Sequence, residues 1–162
     1  MLQDLQRYFS AEKSESLLFV AVGILAIGLA VWLWQDGHRL RSAAFPLIAI
    51  ALIQLVVGGT VFLRTDGQVA AATTVLETAP AQFKHDELAR MDTVMRNFNT
   101  YKIIEITLLA IGCGLILVMR SSDVAVGIGQ GLVIQSAFML FLDLYAESRG
   151  EDYLRALHNL TG

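Results

Sequence analysis

The chain has 162 residues, 55% of them hydrophobic, with two prolines, one cysteine and a formal net charge of −3. The apolar fraction lies above the soluble norm of about 45–50%, a scale that also counts glycine, and the charge, with no basic patch, excludes a nucleic-acid binder. The lone cysteine, Cys113, excludes an intramolecular disulfide and the Cys-x-x-Cys pair that dithiol redox chemistry needs.

Leu2, Leu5, Tyr8 and Phe9 recur at helical spacing with polar residues between them. This predicts a short amphipathic helix over about 1–14, lying on the membrane surface. Asp4, Glu12 and Glu15 stand against Arg7 and Lys13, unlike the basic start of a cleaved signal, so the apolar run that follows is expected to stay in the mature protein. That run, Leu17 to Trp34, is 18 residues without a charge, and Ala43 to Leu63 is 21. Tyr101 to Met119 is 19 residues with only Lys102 and Glu105 charged, and Val124 to Tyr145 is 22 with only Asp143. A helix needs about 20 apolar residues to cross a bilayer. Four spans are therefore predicted, over about 17–34, 43–63, 101–119 and 124–145. Strands are excluded, because the runs do not alternate polar and apolar residues.

The connections carry their own signals. Trp32 and Trp34 suit the headgroup level at the end of the first span, and Gln35 to Ser42 turns the chain back. Pro46 falls in the first turn of the second span, where proline is tolerated. Between spans two and three, about 66–100, Val69, Ala72, Thr73 and Leu76 give one weak helical face, which Ala79-Pro80 breaks. Phe83, Leu88, Met91, Val94, Met95 and Phe98 then recur at three- and four-residue steps, a clearer amphipathic helix. Continued to Met119, that helix would be about 58 Å long at ~1.5 Å per residue, against a bilayer core of ~30 Å. Arg120 to Asp123 leaves room only for a tight turn. Tyr153, Leu154 and Leu157 mark an amphipathic tail within about 147–160. The expected fold is all-α: a four-helix transmembrane bundle in one domain, with an extramembrane helical hairpin between spans 2 and 3.

Nine of the twelve Lys and Arg residues fall on the side that holds both termini and the long connection; Arg39, Arg41 and Arg120 fall on the other. The bias of positive charge toward the inner face then places both termini in the cytoplasm. "LAIG" occurs at Leu25–Gly28 and again at Leu109–Gly112, and "LIQL" at Leu52–Leu55 is echoed by "VIQS" at Val133–Ser136. Two readings stay open: a duplicated hairpin about an axis along the membrane normal, or coincidence in apolar sequence.

Polar residues inside the spans are the sharpest functional signal, because ionisable groups there face the bundle interior or a water-filled cavity. Glu105 and Asp143 share a shallow depth on the side of the termini. Gln54 and Gln135 lie deeper, and Glu15, Arg64, Lys102, Glu147 and Arg149 lie nearer the surface. Gly129, Ser136, Asp143 and Gly150 recur every seven residues, a stripe that lets another helix approach closely. Glu105 and Gly112 are seven apart on the third span, so Gly112, Gly129 and Ser136 are expected to pack helices together. The carboxylates then pair with Arg64, Lys102 or Arg149 and fix register, or snorkel to water, or form a proton or cation site, or join Glu147 and a histidine at a metal. No histidine shows ligand spacing, none lies within a span to hold a haem, and His38 falls on the opposite side. "KHDE" at Lys84–Glu87 reads as a solvated helix turn. "GIGQG" at Gly127–Gly131 follows no strand and reads as helix packing. No nucleophile–base pair is present.

"ESLLF" at Glu15–Phe19, "LIQLVVGGTV" at Leu52–Val61, "RMDTVMRNFNTYKIIE" at Arg90–Glu105 and "LDLYAESRGEDYL" at Leu142–Leu154 resemble segments of small uncharacterised four-span bacterial membrane proteins. The resemblance implies a bacterial inner-membrane setting and no particular activity. The expected function is a non-catalytic subunit, scaffold or partner-binding protein in the lipid bilayer, with no cofactor or metal, associating as a homo-oligomer or with a membrane protein through the face of Met91, Met95 and Phe98. The alternative is a proton- or cation-coupled transporter or channel component using Glu105 and Asp143. A membrane enzyme acting on a lipid is third.

Overall fold

The computed structural model describes residues 1–35 and 40–160, so His38 and Arg39, on which part of the loop reading rests, lie outside the described residues. Four helices account for nearly all of it: α1 (Leu2–Gln35), α2 (Ala44–Thr78), α3 (Pro80–Val118) and α4 (Asp123–His158), with a single 3-10 turn, Arg41–Ala43, leading into α2. Each contains a stretch long and apolar enough to cross a membrane.

The helices run on well past those stretches. With 34, 35, 39 and 36 residues, they are about 51 to 58 Å long at ~1.5 Å per residue. The bundle therefore has an apolar half and a polar half, and each helix passes through both without a break. Within the expected segments 1–14 and 147–160, residues 2–14 and 147–158 continue α1 and α4 without a break. The segment 66–100 is likewise the end of α2 and the start of α3.

Local chemistry places the breaks. Ala79 has φ −147° and ψ 71°, since the residue before a proline is pushed out of the helical region. Pro80 then opens α3 where no N–H is needed. Ser122 caps α4, its Oγ accepting from the Ala125 N–H at 3.3 Å. Lys84 closes the far end of α4 by donating to the His158 and Leu160 carbonyls at 3.0 and 2.7 Å.

Packing differs between the halves. In the apolar half the contacts are small. Ala26, Ala30 and Leu33 of α1 meet Ala43, Ala44, Leu47 and Ala51. A Cβ on Gly58 would meet the Ser16 carbonyl oxygen at 2.8 Å. Small residues at these contacts let the helix backbones approach closely. The three glycines of Gly127–Gly131 divide between two neighbours: Gly127 and Gly131 face the 3-10 turn and Pro46, while Gly129 faces Gly112. The polar half has a conventional core of large side chains from three helices: Leu5, Tyr8 and Phe9 of α1, Phe83 and Met91 of α3, and Tyr153 and Leu157 of α4, backed by Val69, Ala72 and Val75 of α2.

Helix order is two-fold in character. α1 lies along α2 as α3 lies along α4; α2 and α4 meet across the centre, and α1 and α3 occupy the far diagonal. Gln54 and Gln135, from the echoing "LIQL" and "VIQS", face one another there. The "LAIG" echo does not extend to packing: Gly112 is buried against Gly129, whereas Gly28 has open space around it.

Candidate functional site

The seam between α3 and α4 places most of the polar residues of interest. Met91, Phe98, Glu105 and Gly112 recur every seven residues on α3, as do Gly129, Ser136, Asp143 and Gly150 on α4, and the two stripes meet antiparallel. At one end Gly112 and Gly129 pack backbone to backbone. At the other, Met91, Met95 and Phe98 close over Gly150. Between them Glu105 interacts electrostatically with Asp143. Ser136 is fully buried and donates to the Leu132 carbonyl within its own helix at 2.7 Å.

The face expected for a partner, Met91, Met95 and Phe98, lies partly inside the molecule. Met91 is 0% exposed, and Met95 packs against the same core. Met91 joins Tyr8, Phe9 and Tyr153 in that core, while Met95 and Phe98 are half-buried and lie over Gly150.

At the boundary between the halves, ion pairs tie the helices together. Lys13 reaches Asp66 at 2.6 Å and Arg64 reaches Glu12 at 3.8 Å, both between α1 and α2. Lys102 reaches Glu147 at 2.7 Å between α3 and α4. Arg149 reaches Glu15 at 2.6 Å between α4 and α1, and its guanidinium lies 5.1 Å from the Tyr8 ring centre. Burial raises the Glu15 carboxyl above the usual carboxylate range, with Arg149 pulling it back and Glu12 and Asp143 adding to the rise.

The girdle also corrects the ion-pair expectation for Glu105 and Asp143. Arg64, Lys102 and Arg149 are all engaged, with Glu12, Glu147 and Glu15. Among the described residues no ion pair joins a cation to Glu105 or Asp143. Glu105 is 2% exposed and neither of its oxygens has a hydrogen-bond partner. Deeper in the bundle, the Gln54 and Gln135 amides exchange hydrogen bonds at 3.5 Å, and Gln135 also donates to the Leu47 carbonyl at 3.5 Å.

Sequence reasoning missed a further cluster above the girdle. Tyr8 and Tyr153 stack with ring centres 4.4 Å apart. Tyr153 donates to Glu87 Oε1 at 3.0 Å, and Arg90 holds Glu87 from the other side at 2.7 and 2.9 Å. Arg90 also lies over Phe9, 5.1 Å from the ring centre. Burial pushes both tyrosine hydroxyls up, reinforced by Glu87 at Tyr153 and by Glu12 at Tyr8. Lys84–Glu87 reads in the sequence as a solvated helix turn, but Glu87 is buried, and local sequence gives no hint of aromatic partners about 65 to 80 residues away in the chain.

The metal reading gains no support from position. His85 is 20 residues before Glu105 on one helix and His158 is 15 after Asp143 on another, about 30 and 22 Å away at ~1.5 Å per residue. Among the described residues no group of three metal-ligating side chains comes together. Two surface hollows are lined by Met1, Asp4 and Asn159 and by Gln6, Lys13 and Asp66, not by Glu105 or Asp143. No protein-family model, curated protein or solved structure matches the chain.

Proposed function

We propose that the chain is a non-catalytic multi-pass protein of the bacterial inner membrane, a subunit or scaffold that holds a four-helix stalk against a partner on the side of its termini. The observation that supports this is continuity. Each helix passes from the apolar half into the polar half without a break, and the polar half closes a core of its own. A stalk built this way projects about 20 Å beyond the apolar segments, taking some 13 residues at ~1.5 Å each, and it cannot swivel against them. Its outer surface is charged, with Glu77, Asp92, Arg96 and Glu151 exposed. Nine of the twelve cationic side chains lie on this side, which favours the cytoplasm for both termini.

Photocrosslinking in intact cells tests the proposal. A crosslinking residue placed in turn at Glu77, Asp92, Arg96 and Glu151 should give a discrete adduct of one mass from a contiguous subset of positions. An adduct of twice the chain mass identifies a homo-oligomer. No adduct from any of the four positions, in protein that is folded and inserted, overturns the reading.

A further inference from the structure

We propose that Glu105 and Asp143 form an intramembrane binding site for a single proton, shared between their carboxyl groups. This site is independent of the stalk and its partner, and its failure would leave the partner-binding reading untouched.

The argument starts from burial. Glu105 is 2% exposed, both of its oxygens lack hydrogen-bond donors, and Asp143 faces it from α4. A buried charge without a donor or counter-ion, as Glu105 would be, costs several kcal/mol by order of magnitude, and two carboxylates sharing one site do not both ionise. The charged groups around the pair do not relieve this. Glu147 and Glu15, which also act on Asp143, are themselves acidic and bring no positive charge. Lys102 and Arg149, the cations beside them, are held by those same two carboxylates. One positive charge must therefore enter the pair itself.

A proton fits better than a metal cation. A metal ion needs several oxygen ligands around it, and among the described residues no third metal-ligating side chain joins this pair. With one proton bound, the pair carries a single negative charge and a hydrogen bond between the carboxyls. Asp143, the half-buried member, is in electrostatic contact with Glu15 and Glu147 of the girdle, so exchange with water runs through it toward the polar half.

Infrared spectroscopy of the full chain in lipid nanodiscs at neutral pH reads the site directly. The folded protein should show the carbonyl stretch of one protonated carboxylic acid, downshifted on deuterium exchange. Labelling all Asp or all Glu side-chain carboxyls with carbon-13 should shift that band for one residue type, which locates the proton without any substitution. The double variant Glu105→Gln, Asp143→Asn should fold, since two facing amides can bond as Gln54 and Gln135 do, and should lack the band. A wild-type protein with no acid band overturns the proposal, as does a band that survives in the double variant. Titrating the band away with sodium but not choline also overturns it, by making the ligand a metal cation.

Discussion

Gly112 and Gly129 face each other across the α3–α4 seam so closely that a Cβ on either would sit 2.8 or 2.7 Å from the carbonyl oxygen of the other. The obstacle is backbone on both sides, so no side chain can move aside. Gly129→Ala or Gly112→Ala should therefore destabilise the protein by about 1–3 kcal/mol, the usual cost of overpacking. Gly28→Ala and Gly114→Ala are the controls. Both positions have open space, and alanine is the better helix former by about 0.8–1 kcal/mol, so these should be neutral or slightly stabilising. Thermal unfolding followed by circular dichroism in detergent separates the two pairs. Equal melting temperatures for all four variants would contradict the packing.

Gln54 and Gln135 make a second test, because each satisfies the other in a place that water does not reach. They are 0% and 2% exposed. Gln54→Leu strands the Gln135 amide and should cost about 1–3 kcal/mol, as should the reverse change. Replacing both leaves no polar group to strand, so the double variant should be less destabilised than the sum of the singles by about 1 kcal/mol or more. Additive losses would mean that the amides do not depend on one another.

Met91 and Leu157 distinguish an inner face from a docking face. Both are 0% exposed, in the core of the polar half. Met91→Ala or Leu157→Ala should cost about 2–5 kcal/mol of stability in the purified protein. A partner-docking methionine would show no loss in isolation. Chemical denaturation of the solubilised chain gives the answer.

These residues also mark how far the sequence could be read. The four apolar runs, the break at Ala79-Pro80 and the tight turn before Asp123 follow from length, proline chemistry and capping, which act within a few residues. The heptad of Gly129, Ser136, Asp143 and Gly150 showed which side of α4 meets a neighbour. What periodicity cannot give is the identity of the neighbour. Leu5, Tyr8 and Phe9 form one half-pattern and Phe83, Met91 and Tyr153 its complement. Read alone, the first looks like a helix resting on lipid and the second like a face for a partner. The same limit applied to charge. Arg64, Lys102 and Arg149 were at the right depth for Glu105 and Asp143, but Glu12, Glu147 and Glu15 take them.

The Glu15–Arg149 pair carries a pH dependence with a defined sign. Burial raises the folded-state pKa of Glu15 above the unfolded value of 4.5. A raised group contributes stability that is full below the unfolded pKa and is lost as pH rises through the folded one. Arg149 limits that loss by favouring the charged form. Arg149→Met should therefore lower the melting temperature more at pH 8 than at pH 4.5, and adding Glu15→Gln should flatten the difference. A deficit independent of pH would show that Arg149 acts through packing on Tyr8 alone.

Tyr8 and Tyr153 extend the same reasoning to alkaline pH. Their rings stack at 4.4 Å with an interplanar angle of 15°, and each is 3% exposed. Burial is the main reason that both hydroxyls ionise above the ordinary value of 10.0. At neutral pH the hydroxyls are protonated whether the chain is folded or not, so the shift has no effect on stability there. Above pH 10 the unfolded chain loses these protons first, and stability falls as pH climbs toward the folded-state values. A spectrophotometric titration of the chain, which has four tyrosines, should show a late component that appears together with loss of helix. Tyr153→Phe removes the hydrogen bond to Glu87, at a cost of about 1 kcal/mol, but leaves Glu87 held by Arg90. It should reduce the late component and weaken the alkaline loss of stability. An unchanged titration in both Tyr8→Phe and Tyr153→Phe would mean that the stacked pair is open to solvent and that the core of the polar half is not closed.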